Sequence, residues 1–240
     1  MEITQDKKVG EAVAKDFRLA SIFEKYGIDF CCGGGQTISE VCKRKNIDPE
    51  SLLRSINEMI SSKANKEIDY YSWPIDLLAD YIEKKHHRYV REQMPVIKKF
   101  MDKLCRVHGE RHPELFKINE LFSASVEELT KHMVKEELVL FPFIRKMVTT
   151  YNGKVVETQE FRSVKNPINV MIDEHDAEGE RFRKIEELTN NYTPPDDACN
   201  TYKAAFALLK EFESDLHLHI HLENNILFPK TIKFQENVNS

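Results

Sequence analysis

The sequence has few of the residues that interrupt helices or build loops. Eight glycines and nine prolines occur among 240 residues, and hydrophobic types make up 41% of the chain. Charged residues account for 31%, which is typical of soluble proteins rich in charged helices. The scarcity of glycine and proline argues against a loop-rich β-sandwich.

Long apolar runs and basic runs are also lacking. No stretch approaches the roughly 18 apolar residues of a membrane span, and residues 1–8 hold no apolar core of a signal peptide. The net charge of −5 makes nucleic acid a poor partner. The five cysteines are odd in number and irregularly spaced, which argues against a secreted disulfide framework. We therefore expect a cytoplasmic protein that binds neither membrane nor nucleic acid.

Residues 1–62 contain short helical stretches and are predicted to form a small helical domain. Thr37 and Glu40 have the spacing of a capping box, in which each residue bonds the backbone of the other. Asp48 followed by Pro49 predicts a helix that begins at the proline and runs to about residue 59.

Residues 74–235 show the pattern of long helices. Residues 63–73, polar and then aromatic, are predicted to link the two regions. Pro95 falls inside the first long helix and predicts a kink or an early end. The sequence therefore predicts an all-α fold with a small N-terminal domain and an up-and-down four-helix bundle. The predicted helices are about 74–106, 113–149, 167–190 and 197–230.

Histidine and glutamate lie on the apolar stripes of these helices. Burying a carboxylate is unfavourable by several kcal/mol unless it is paired or coordinated, and a metal cluster would offset that cost. Imidazole and carboxylate ligands suit iron, manganese or zinc, and six ligands with two potential bridges argue for two ions. The six residues are His87, His132, Glu136, His175, His219 and Glu223.

An internal repeat strengthens this interpretation. Residues 132–142 and 219–229 share the string His-x3-Glu-x2-(Val/Ile)-Leu-Phe-Pro. Chance matching at this length is improbable. The repeat indicates either a duplicated helix pair or the same local arrangement used in two helices. The Glu-x-x-His spacing of ferritin-like bundles occurs only between Glu83 and His86, which sets that class aside.

Several other polar residues leave alternatives open. His86 could replace its neighbour His87, but Gln93 falls on its stripe, so His87 is favoured. Glu174 and Glu178 are either partners of the ligands or surface charges. Four further histidines are predicted to face solvent or to lie in a surface loop: His108, His112, His217 and His221.

Cys31 and Cys32 stand together at the start of a glycine-rich turn. A disulfide between neighbouring cysteines strains the backbone, so a stable bridge is not expected. Nearby amides and access to solvent predict a thiolate pair that is reactive or binds metal. The alternative is two reduced thiols that fill a small core. The remaining cysteines are predicted to be packing residues: Cys42, Cys105 and Cys199.

These motifs together resemble the RIC (repair of iron centres) family, with a hemerythrin-like domain at residues 74–230. The N-terminal match lies in residues 26–34, which read Tyr-Gly-Ile-Asp-Phe-Cys-Cys-Gly-Gly. The C-terminal match lies in the two repeats, in residues 174–176 (Glu-His-Asp) and in residues 222–229. The resemblance covers the chain nearly from end to end.

The resemblance implies a carboxylate-bridged di-iron centre, with two non-haem iron ions bound by the six residues and with Glu136 and Glu223 as bridges. It also implies repair of iron–sulfur clusters after oxidative and nitrosative damage. The implied partners are damaged or apo iron–sulfur proteins, with nitric oxide or oxygen as small ligands. Cys31 and Cys32 would assist by thiol, nitrosyl or iron transfer. A homodimer is left open.

One departure separates the chain from oxygen-carrying hemerythrins. Their third helix carries His-x3-His, whereas Gly179 follows His175 here. A missing ligand predicts a more open cluster, which favours iron transfer over oxygen storage. Two alternatives remain: a carrier or sensor of oxygen or nitric oxide, and an enzyme such as a nitric oxide reductase.

Overall fold

The structure is a computed structural model that describes residues 3–61, 68–151 and 163–238. Regular structure in these ranges is helical, apart from one isolated antiparallel bridge between Lys8 and Thr37. The predicted all-α fold is confirmed. Among the described residues, no helix combines the length and the apolar character that crossing a membrane requires.

The chain divides into two compact units. The first comprises Met1–Leu78 together with Ile220–Ser240, and the second comprises Ala79–His219. The helices of the N-terminal part are α1 (Val9–Lys15), α2 (Leu19–Lys25), α3 (Ile38–Lys45) and α4 (Pro49–Ser61), with short 3-10 turns at Gly33–Gly35 and Tyr70–Ser72. Next comes α5 (Ile75–Tyr81).

Side-chain caps explain where two of the short helices begin. The Glu40 backbone N–H donates to Thr37 Oγ1 at 3.2 Å, and the Thr37 N–H donates to Glu40 Oε2 at 2.7 Å. This is the predicted capping box at the start of α3. Asp48 accepts two backbone N–H groups at the start of α4, whose first residue is Pro49. Both predictions are confirmed, because each cap satisfies N–H groups that a helix leaves without an internal partner.

The second unit contains the long predicted helices, with different ends. The predicted early end at Pro95 is wrong, because α6 continues past this residue to His108. The predicted break near residues 152 and 153 lies outside the described residues. The helices are α6 (Arg88–His108), α7 (Glu114–Lys135), α8 (Phe141–Tyr151), α9 (Lys165–Leu188) and α10 (Asn200–Leu222), and α11 (Phe228–Val238) follows in the first unit.

The repeated string produces the same local distortion twice. A π-helical turn begins at each glutamate and ends at the leucine of Leu-Phe-Pro, at Glu136–Leu140 and at Glu223–Leu227. The proline after each turn has no N–H, so it cannot continue the ladder of α-helical hydrogen bonds. A wider turn before the proline accommodates this gap, and such turns are frequent at functional sites. A third π-helical segment, Ile82–His87, precedes α6.

Each unit has its own apolar core. In the second unit the Phe212 ring packs edge-on against Phe122, with centroids 5.6 Å apart, and stacks on Phe182 at 5.8 Å. Burying a side chain of this size stabilises a fold by about 1.5–3 kcal/mol. Fully buried residues of the first unit include Val9, Val13, Leu19, Phe23, Ile38, Leu52 and Ile56.

Candidate metal centre

A buried carboxylate occupies the centre of the second unit. Glu136 has no exposed surface, and its Oε2 lies 3.3 Å from His87 Nε2 and 3.2 Å from His132 Nε2. His87 ends the π-helical segment before α6, whereas His132 lies one turn before Glu136 at the end of α7. One carboxylate oxygen therefore lies between imidazoles from two separate helical stretches.

Two further histidines complete this cluster from the other helices of the unit. His175 Nε2 lies 3.1 Å from His132 Nε2, and the ring centroids of His219 and His87 are 4.9 Å apart. Ligand atoms of His87, Glu136 and His219 lie within 4.8 Å of one another, and so do those of His132, Glu136 and His175. Five of the six predicted residues are thus brought together, with Glu136 common to both groups.

Glu223 is positioned by its own helix. It follows His219 by four residues along an unbroken helical stretch and begins the π-helical turn after α10. Residues four apart on a helix share a face. Its side chain is fully buried. It therefore occupies the same place in the second repeat as Glu136 does in the first.

The spacing of the donor atoms tests whether a metal ion fits. Nitrogen and oxygen ligands at about 2.0–2.2 Å from one ion, with bond angles of about 90–110°, are about 2.9–3.5 Å apart. Three donor pairs here are 3.1, 3.2 and 3.3 Å apart. Buried imidazoles and carboxylates also match the ligand chemistry of iron, manganese and zinc. The residues present therefore fit a metal ion.

Two outer carboxylates orient the imidazoles. His87 Nδ1 lies 2.7 Å from Glu137 Oε1, and His132 Nδ1 lies 2.9 Å from Glu174 Oε2. A carboxylate only accepts hydrogen bonds, so each Nδ1 carries the proton and each Nε2 presents its lone pair. Carboxylates that hold metal-binding histidines in this way are a recurrent feature of metal sites.

Basic residues support these outer carboxylates. Arg91 donates to Glu137 at 2.7 Å, and Lys135 pairs with Glu174. The hydrogen bond from His132, opposed by partial burial, lowers the pKa of Glu174 to about 2. Glu174 is therefore a partner of a predicted ligand, which the sequence left open. Glu137 was not predicted, because residue spacing along one helix does not show which neighbour it meets.

His86 and His87 differ in their contacts rather than in burial. Both are fully buried, but it is His87 that approaches Glu136. The Nδ1 of His86 lies 3.0 Å from both carboxylate oxygens of Asp215, and its ring stacks on His219 with centroids 5.7 Å apart. His86 therefore lies against His219 but outside the groups of potential ligands around Glu136.

The predicted exposure of His221 is wrong. Its side chain is 1% exposed, and its ring packs against Phe17 and Phe30 of the first unit. Burial lowers the pKa of His221 to about 3, so the ring is neutral. Residues nearly 200 positions earlier cover this side of the helix, and helical periodicity does not report such contacts. His108 is also buried, against Tyr202, contrary to the predicted surface loop.

Cys31 and Cys32 lie in the first unit on the turn before Gly33–Gly35. The two Sγ atoms are 3.8 Å apart, and both backbone N–H groups donate to Asp29 Oδ1 at 3.0 Å. The hydrogen bond with Cys32, together with burial, raises the pKa of the Cys31 thiol. The expectation that nearby amides favour a thiolate is therefore wrong for Cys31, because Asp29 takes those amides.

The other cysteines differ in exposure. Cys42 and Cys105 are buried, in keeping with packing roles. Cys199 is exposed, so its predicted packing role is wrong. Its Sγ lies 3.3 Å from His108 Nε2.

Comparisons with known proteins match two family models to separate parts of the chain. Residues 5–60 match the model of a domain of unknown function (DUF542), and residues 79–231 match the hemerythrin HHE cation binding domain. The chain is 36% identical over 216 residues to the iron-sulfur cluster repair protein YtfE of Yersinia pestis (strain Pestoides F), covering 90% of this chain and 92% of that protein.

A second relative has the same name. YtfE of Yersinia pseudotuberculosis serotype IB (strain PB1/+) is 36% identical over 212 residues, with 88% of this chain and 90% of the relative covered. The resemblance seen in the sequence motifs is confirmed. The chain belongs to the hemerythrin-domain family that includes the iron-sulfur cluster repair protein YtfE.

Proposed function

We propose that this protein holds two iron ions in its bundle and helps to repair damaged iron–sulfur clusters. The observation that carries the proposal is the position of Glu136 Oε2, within 3.3 Å of imidazoles from two helical stretches. A carboxylate in this place can bridge two ions. The proposed ligands are His87, His132, Glu136, His175, His219 and Glu223.

The internal repeat supports the second bridge. Glu136 and Glu223 each stand four residues after a histidine, begin a π-helical turn and are fully buried. A buried carboxylate costs several kcal/mol unless a cation compensates it. An arrangement of two ions with two bridging carboxylates would explain why both Glu136 and Glu223 are buried.

The protein's own residues prepare the site for cations. Glu137 and Glu174 fix the orientation of His87 and His132 by accepting their Nδ1 protons, while Arg91 and Lys135 balance the outer charge. Burial of the ligands restricts the access of water. When bound, a di-iron centre supplies redox chemistry and iron that can be exchanged.

The role in cluster repair is carried over from the named function of the relatives. Gly179 stands one turn after His175, where it offers no side-chain ligand, which supports release of iron over tight retention. We propose that damaged or apo iron–sulfur proteins receive iron from this centre. Nitric oxide or oxygen would bind as small ligands at the position where Gly179 offers no side chain. On this account the protein acts mainly as an iron donor.

The test uses protein purified without oxygen. Wild type should contain about two irons per chain and restore activity to an apo iron–sulfur enzyme. The His132→Ala/His219→Ala variant should lose both properties. His217→Ala is the matched control, because this half-exposed histidine lies on the same helix as His219.

Three results would contradict the proposal. The absence of metal in the wild type, or equal metal in the double variant, would refute the ligand assignment. Bound iron that survives chelators and never reaches the client, with reversible oxygen or nitric oxide binding, would indicate a carrier or sensor. Multiple turnovers of nitric oxide with an electron donor would indicate a reductase.

A further inference from the structure

Three potential ligands converge at the cysteine turn of the first unit. The Sγ atoms of Cys31 and Cys32 are 3.8 Å apart, and Cys31 Sγ lies 3.2 Å from Asp29 Oδ1. Ligand atoms of all three residues fall within 4.8 Å of one another. Hydrogen bonds from the Cys31 thiol and from both backbone N–H groups to Asp29 Oδ1 hold these side chains together before any ion binds.

The sulfur separation matches a coordination edge. Two sulfurs at about 2.3 Å from one tetrahedral ion are about 3.8 Å apart, whereas a disulfide bond measures about 2.05 Å. A carboxylate oxygen at about 2.0–2.2 Å from the same ion would lie about 3.5–3.7 Å from each sulfur. Asp29 Oδ1 lies 3.2 Å from Cys31 Sγ. The two separations measured from Cys31 Sγ are therefore within about 0.5 Å of those that a tetrahedral ion requires.

We infer that Asp29, Cys31 and Cys32 form a second metal site, separate in its ligands from the bundle centre, that binds a divalent ion of the zinc or ferrous type. Two thiolates select borderline-soft ions over magnesium or calcium. Three protein ligands leave one position for water or an incoming ligand, as in zinc sites that stay open. Cys31 is buried and Cys32 is half-buried, so Cys32 is the more exposed of the two residues.

Asn225 holds the turn in this shape. Its side-chain amide donates to the carbonyl oxygens of Phe30 and Cys31 at 3.1 and 3.4 Å. The approach is possible because Gly10 has no side chain: a Cβ there would lie 2.0 Å from Asn225 Oδ1. Ligands fixed by hydrogen bonds before the ion arrives need less reordering when it binds.

Protons must leave when the ion binds. The Cys31 thiol donates to Asp29 Oδ1 at 3.2 Å, so it carries its proton before the ion binds. Coordination replaces two S–H bonds by two metal–sulfur bonds and releases up to two protons to solvent, with no change of oxidation state. The affinity of the site should therefore rise with pH.

The first experiment titrates the full-length protein with cobalt(II) without oxygen. Thiolate coordination produces an intense sulfur-to-cobalt charge-transfer band in the near ultraviolet, which a site of nitrogen and oxygen ligands lacks. The wild type should show this band at one cobalt per chain. Cys32→Ser should abolish it, Asp29→Asn should weaken cobalt binding at least tenfold, and Cys199→Ser should leave it unchanged.

The His132→Ala/His219→Ala variant separates this inference from the proposed function. It should retain the band, because its substitutions lie in the bundle. Loss of iron from this variant with the band intact would support both the bundle centre and the cysteine site. Iron in the wild type without any band would refute the cysteine site alone. A band that survives Cys32→Ser would also overturn the inference.

A second measurement does not depend on substitutions. Zinc should protect the half-buried Cys32 of the wild type from alkylation by N-ethylmaleimide, as mapped by mass spectrometry. The exposed Cys199 should remain reactive and serves as the internal control. Equal labelling of Cys32 with and without zinc would contradict the site.

Discussion

The histidine–glutamate cluster and the cysteine turn bring potential metal ligands together in different ways. The cluster places nitrogen and oxygen donors on long helices, where Glu136 and its neighbours are fully or almost fully buried. The turn places two sulfurs and one carboxylate within four consecutive residues, 29–32. The potential ligands of the cluster come from positions more than 130 residues apart, whereas those of the turn are close together in the sequence.

The difference has a consequence for rigidity. Each imidazole of the cluster is fixed by helix packing and, for His87 and His132, by an outer carboxylate. The cysteine turn is fixed mainly by hydrogen bonds to Asp29 and from Asn225. We therefore expect metal binding at the cluster to be sensitive to single ligands and to the bundle core. Metal binding at the turn should instead be sensitive to the contacts of Asn225.

The largest effect should follow the loss of the central carboxylate. Glu136→Ala removes the oxygen shared by both histidine groups, so the bundle should lose nearly all of its iron. Metal analysis of anaerobically purified protein measures this directly. Glu127→Ala is the matched control, because this exposed residue lies on the same helix and pairs only with Lys131 among the described ion pairs. Iron retained in Glu136→Ala would show that this carboxylate is not required to bind iron.

The second prediction concerns the two cores. Phe212→Ala in the bundle and Phe23→Ala in the N-terminal part should each lower the free energy of unfolding by about 3–5 kcal/mol, since both side chains are fully buried. Urea unfolding measures the change. Phe212→Ala should also weaken iron retention, whereas Phe23→Ala should weaken cobalt binding at the cysteine turn. The reverse pattern would contradict the assignment of each site to its own core.

A third prediction tests the contact of Gly10 with Asn225. Gly10→Ala introduces a Cβ 2.0 Å from Asn225 Oδ1, so the side chain must shift. Overpacking of this kind costs about 1–3 kcal/mol. The rate of Cys32 alkylation should rise as well. Gly35→Ala is the control, because nothing lies within 4 Å of a Cβ at that position. Equal effects of the two substitutions would show that Asn225 does not hold the turn.

The smallest effect concerns Glu174 and pH. Its pKa is lowered from 4.5 to about 2 in the folded protein, so its contribution to stability is complete above pH 4.5 and is lost as the pH falls toward 2. Glu174→Gln should therefore reduce the stability of the metal-free protein by about 1 kcal/mol near neutral pH, after allowance for solvent screening. The difference from wild type should vanish near pH 2, as measured by urea unfolding. A difference that does not depend on pH would refute the ion pair.

Periodicity predicted much of the bundle site. The apolar stripes placed a histidine on each helix, and the repeated string marked Glu136 and Glu223 as equivalent. The capping residues Thr37 and Asp48 were also predicted, because a cap depends only on residues within one turn. In each case the information lies in a short stretch of sequence.

Contacts between distant segments could not be predicted in this way. His221 is covered by Phe17 and Phe30, and His87 meets Glu137 fifty residues later. The π-helical turns were also missed, because a pattern with a period of about 3.6 residues continues through a single wider turn. These features depend on how the chain folds back on itself, which local spacing does not encode.

Anomalous diffraction at the iron edge, from crystals of protein purified without oxygen, would show directly whether two iron ions lie beside Glu136. We expect two iron peaks in the bundle on either side of the Glu136 carboxylate, one near His87 and His219 and the other near His132 and His175. A single peak, or peaks away from Glu136, would contradict this expectation.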